Sequence, residues 1–134
     1  MIYAVIDTNV FVSALLSRLP NTATVKLVRI LFERGMCPLY NEEIIAEYQD
    51  VLHRRKLHFP SEAIDEIIKT VQDIGISSER ISSDDFFPDP KDVVFYEVAL
   101  SIEDAYLVTG NTKHFPKKPI VVTPAEMLEI LNRY

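Results

Sequence analysis

Ile2-Tyr3-Ala4-Val5-Ile6-Asp7-Thr8-Asn9-Val10 opens with a nearly continuous apolar run and turns polar at Asp7. Apolar residues without alternation suit a strand buried on both faces of a parallel sheet. In such sheets ligands collect in the crevice beyond the carboxyl ends of the strands, so a polar residue directly after a buried strand carries extra weight. Asp7 stands in that position, and so does Asn111, after the strand-like Tyr106 to Thr109. The opening run is far too short to span a bilayer and carries neither a basic leader nor a cleavage-like site, so a soluble, cytoplasmic protein with no membrane partner is expected.

The pattern that follows alternates helices with short strands. Thr22 or Thr24 is placed to cap a helix to Arg34, with Val25, Val28, Leu31 and Phe32 on one face and Gly35 as its stop. Residues 36 to 40 read as a second strand. Asn41 then caps a helix whose acidic first turn, Glu42 and Glu43, complements the dipole and whose body holds Ile44, Glu47, Tyr48 and Leu52. Pro60-Ser61-Glu62 opens another, carried by Ile64, Ile67, Ile68 and Val71 to Gly75. Ile76 to Ile81 reads as a further strand. Asp84 to Pro90 is a loop, and Lys91 or Asp92 begins a helix through Val94, Phe95, Val98 and Ala99. Ile120 to Val122 makes the last strand, and Pro124 starts a terminal helix with Met127, Leu128 and Leu131. This alternation predicts one three-layer α/β/α domain, residues 1–134, around a mainly parallel sheet.

With 134 residues, 48% hydrophobic and 25% charged, the chain suffices for one core and leaves no room for a second. A single cysteine, Cys37, excludes an internal disulfide and reads as a core thiol. His53, His58 and His114 lack paired zinc-ligand spacing. A formal charge of −6 argues at first sight against a nucleic-acid partner. It does not decide the matter, because a site for divalent cations is acidic when empty. Basic clusters at Arg54, Arg55, Lys56 and at Lys113, Lys117, Lys118 read either as solvated faces or as phosphate contacts.

Taken singly, Asp7 and Asp92 have ordinary readings as helix caps, and Glu47 as a surface residue. Taken together, the segments resemble the PIN-domain family in order and kind. Ile2 to Val10 looks like its opening strand and first acid. Ile44-Ile45-Ala46-Glu47-Tyr48 resembles the helix carrying the second, and Asp89-Pro90-Lys91-Asp92 through Ala99 resembles the third. Tyr106 to Asn111 is similar to the strand and turn that often place a fourth, although Asn111 stands where many members have aspartate. An amide can orient a metal-bound water but brings no charge.

The resemblance implies a metal-dependent nuclease that hydrolyses RNA phosphodiester bonds. Asp7, Glu47 and Asp92 would hold Mg²⁺ or Mn²⁺, Asp7 and Asp92 directly and Glu47 through water or as base, while Asn111 orients the shell and Thr8 and Asn9 shape the turn after the first strand. Thr109 to Pro116 is similar to a branch regarded as toxins of toxin–antitoxin pairs, which implies a small antitoxin protein as partner, filling the acidic groove. A homodimer through the helix at 22 to 34 or 61 to 74 is also implied. Three other readings stand beside this one. A haloacid-dehalogenase-like phosphatase needs a second aspartate two residues after the first, where this chain has Asn9. A PIN-like module that binds RNA or protein without cutting is the main alternative, and a plain domain whose acids only cap helices is the third.

Overall fold

The computed structural model describes residues 1–133; Tyr134, the last residue of the expected 1–134 domain, lies outside them. Five strands appear among the described residues: β1 (Tyr3–Ile6), β2 (Cys37–Tyr40), β3 (Ile76–Ser77), β4 (Tyr106–Val108) and β5 (Val121–Val122). They form one sheet in the order β3-β2-β1-β4-β5, and every neighbouring pair runs parallel. Six helices flank it: α1 (Thr8–Leu16), α2 (Ala23–Phe32), α3 (Glu42–Leu52), α4 (Ser61–Ile74), α5 (Val93–Ala99) and α6 (Pro124–Asn132). This is the three-layer α/β/α arrangement that the alternation predicts.

Local chemistry explains most element ends. The Thr22 side chain accepts the Val25 N–H, Asn41 accepts that of Ile44, and Thr123 and Glu126 form a reciprocal capping box at α6. Gly75 ends α4 because a Cβ there would lie 2.3 Å from the Val71 carbonyl oxygen and 2.4 Å from that of Pro38, so only glycine lets the chain pass this close to β2.

The structure corrects three expectations. Thr8 and Asn9 form no turn; they open α1, a helix invisible to periodicity because Val10 to Leu16 is apolar on nearly every side and packs against both α2 and α3. The stop of α2 is made by Arg34, which takes the left-handed conformation at φ 63°, while the Gly35 N–H returns to the Ile30 carbonyl. The strand read over Ile76 to Ile81 pairs only at Ile76–Ser77, after which the backbone leaves the sheet.

The chain builds outward from β1 through β2 to β3, then returns to β1's other edge for β4 and β5. The order therefore reverses between β1 and β4, where Ile6 lies level with Val108. The residues that follow these two, Asp7 and Thr109, emerge side by side at the switch point where α/β sheets place their ligands.

Candidate metal centre

Asp7 leaves β1 in extended backbone and occupies the cap position of α1, yet its side chain makes no capping bond. It turns toward β4, where the fully buried Thr109 hydroxyl donates to Asp7 Oδ2 at 2.7 Å. The Asn111 N–H in turn donates to that hydroxyl at 3.0 Å. With its acceptor side engaged, the Thr109 oxygen points its proton at the carboxylate and fixes it.

Glu47 comes from α3, which Tyr48 docks onto β1. The Tyr48 ring is completely buried and its hydroxyl donates to the Ile6 carbonyl, one residue before Asp7. Phe11 of α1 meets that ring edge-on with centroids 5.1 Å apart, and the ring of Phe95 from α5 lies 6.4 Å from it. This aromatic row joins the three helices next to the acids and sets their spacing. Above it, the Thr8 hydroxyl donates to Glu47 Oε2 at 3.0 Å. Glu47 is half-buried and held, and the surface reading of it falls.

Asp92 closes a single 3₁₀ turn, Pro90–Asp92, ahead of α5. The capping role belongs to Asp89, whose side chain accepts the Lys91 N–H at 2.9 Å. Asp92 Oδ2 is buried without a hydrogen-bond donor. His114 Nδ1 lies 3.5 Å from it, near enough for charge attraction but outside hydrogen-bond geometry.

The electrostatics tie these residues together. Burial pushes Asp7 up from the ordinary 3.8 to about 6; the Thr109 bond opposes this, and Asp92 and Glu47 add repulsion. Asp92 is raised too, by burial first and then by Asp89, against the pull of His114, with Glu47 adding to the rise. Among the described residues no lysine or arginine pairs with Asp7, Glu47 or Asp92. Three carboxylates that repel one another with no lysine or arginine beside them, one with an orphaned oxygen, form a donor set suited to a hard divalent cation. No three His, Cys, Asp or Glu side chains close into a ready-made cage among the described residues. Mg²⁺ does not require one, since it keeps several waters and takes one or two carboxylates directly.

Asn111 reaches the site through its backbone; its exposed side chain makes no capping bond and lines a shallow depression with Asn9, Ser13 and Thr24. Asn9 Oδ1 accepts the Gly110 N–H at 3.2 Å and so fastens α1 to the turn after β4. Thr109, Tyr48 and His114 escape sequence reasoning as site residues. Only the position of Thr109 at the end of a buried strand could have signalled it.

A second acidic group lies on α3 and α5. Arg80 donates from Nε to the buried Glu97 at 2.8 Å and from NH1 to Glu43 at 2.9 Å, while the Ser83 N–H takes the other Glu97 oxygen at 2.8 Å. These acids share an arginine, which the trio lacks.

The family model described as PIN domain matches residues 3–113, well over half of the chain. Comparisons with curated proteins and with solved structures found no match.

Proposed function

The chain belongs to the PIN-domain family, whose members are typically nucleases using divalent metals, and from that premise we propose that it is a metal-dependent endoribonuclease. The observation that carries this reading is the buried, donorless Oδ2 of Asp92 facing the same unneutralised charge as Asp7 and Glu47. Asp7 and Asp92 would hold Mg²⁺ or Mn²⁺ directly, with Glu47 acting through water or as base. Such an ion, when bound, supplies a water of lowered pKa for in-line attack on phosphorus and neutralises the departing 3′ oxygen.

The chain's own groups set the stage for that chemistry. Thr109 engages Oδ2 of Asp7 and holds the carboxylate in place. Thr8 holds one Glu47 oxygen and leaves the other to accept a proton from water. Tyr48 keeps α3 from sliding along β1, so neither acid drifts from the other.

The likeness to toxin-branch sequences extends the reading to the toxin of a toxin–antitoxin pair acting in the cytoplasm, with a small antitoxin as partner and a homodimer as the working unit. No helix among the described residues is long and apolar enough to cross a membrane. A second reading, a PIN-like module that binds RNA or protein without cutting, draws support from Asn111 in place of an acid.

Cleavage of a labelled mixed RNA pool by wild-type and Asp7→Asn protein, compared in EDTA, Mg²⁺ and Mn²⁺, separates the two. The nuclease reading expects product only from wild type with metal. Tight RNA binding without product in every metal would replace it with the binding module.

A further inference from the structure

Three lysines and a displayed phenylalanine lie beside the acidic trio without a part in it. Lys113, Lys117 and Lys118 line a depression of about 430 Å³ together with Thr112 and Phe115, and no carboxylate lines it. Such a concentration of positive charge stands out in a chain of net charge −6. Lys118 has only a distant partner, Asp85 at 4.0 Å, while Lys113 and Lys117 make no ion pair among the described residues.

Phe86 is 83% exposed, the most of any large apolar side chain in the described residues. The loop around it is anchored. Phe87 packs perpendicular to Phe115 at 6.1 Å and edge-on to Tyr96 at 5.5 Å, and Ser83 and Asp85 bond each other at 3.0 and 3.1 Å. The Phe87–Phe115 contact and the Lys118–Asp85 approach tie this loop to the lysine-bearing segment. That segment also carries His114, 3.5 Å from Asp92. Cations and a free ring therefore adjoin the trio on one continuous surface.

We propose that residues 84–87 and 112–118 form the track for an unpaired stretch of RNA beside the acidic trio. Lys113, Lys117 and Lys118 neutralise its phosphates and Phe86 stacks on one of its bases. Alternating phosphates and flat bases match a row of cations beside an aromatic face. The ring requires an unpaired base, because a duplex hides its base faces in the stack. An acidic peptide would occupy the lysines and leave the ring without a role. The inference rests on RNA as the substrate and adds where and in what form the strand lies.

The test is fluorescence anisotropy of a labelled single-stranded RNA oligonucleotide against KCl concentration, in Mg²⁺, with Asp7→Asn as the non-cutting parent. Replacing Lys113, Lys117 and Lys118 together by alanine is expected to weaken binding and flatten the logarithmic salt slope by about 2, at roughly 0.7 per phosphate contact. Phe86→Ala is expected to weaken single-strand binding about tenfold, with the salt slope unchanged and no effect on the same sequence as duplex. All four side chains are exposed, and circular dichroism checks that each variant folds. If the folded variants bind as their parent does while wild type cuts RNA, the track is wrong and the nuclease reading stands. If wild type cuts nothing and the variants still lose RNA binding, the nuclease reading falls and the track stands. Lysine-dependent binding of polyglutamate with none of RNA overturns the proposal in favour of an acidic peptide.

Discussion

Glu43 and Glu97 share one arginine, whereas Asp7, Glu47 and Asp92 share none. The two groups use the same residue types on the same helices, α3 and α5, and their physics differs completely. Arg80 reaches Glu97 with two nitrogens and Glu43 with a third, so both acids share one cation that ties α3, α5 and the strand-exit loop together. The trio keeps its repulsion, and the folded chain bears the cost of two raised carboxyl groups. On the proposed reading, the counter-charge that the trio lacks is a divalent cation from outside the chain.

The largest expected effect lies on the trio. With Asp7 a direct metal ligand, as proposed, Asp7→Asn is expected to lower RNA cleavage by about 100-fold or more, beyond the roughly 10- to 100-fold usual for supporting residues. Cleavage at wild-type rate by that variant would erase the distinction between the two groups.

Stability should move the other way. Asp7 has a folded value of about 6 against the ordinary 3.8, so on raising the pH the unfolded chain releases this proton first. Without metal, stability therefore falls between about pH 4 and pH 6 and stays lower above, by on the order of 3 kcal/mol. Asp7→Asn removes this component, and urea unfolding in EDTA should show the variant more stable than wild type at pH 7. Parallel pH profiles for the two proteins would show that Asp7 is not the strained acid.

Glu97→Ala reverses that sign. It leaves the Ser83 N–H without a partner and Arg80 with Glu43 alone, and a loss of about 2 kcal/mol is expected, less than for a fully buried pair because Arg80 is about one-third exposed. The smallest effect belongs to Glu43→Ala, whose exposed half of the network is expected to contribute no more than about 0.5 kcal/mol. Equal losses at Glu43 and Glu97 in the same unfolding series would mean that burial does not grade this network.

Sequence reasoning located Asp7 by its place at the end of a buried strand, but the same reasoning could not separate Glu47 from Glu43 or Glu97. All three are helical glutamates with apolar residues nearby in the chain. Resemblance to a family singled out Glu47; the geometry gives it a partner in Thr8, and Arg80 accounts for the other two. Asp92 was legible only as an acid near a helix start, and the cap it seemed to offer is supplied by Asp89. Helix α1 stayed hidden because a segment apolar on nearly every side has no period to read.

The sequence by itself determined the alternation of strands and helices, their caps and the parallel sheet, because these depend on residues a few positions apart. Only the tertiary structure decided which acids find a counter-charge within the chain. Thr8 meets Glu47 across 39 positions and Thr109 meets Asp7 across 102, and charge compensation depends on distance in space, which no local pattern encodes.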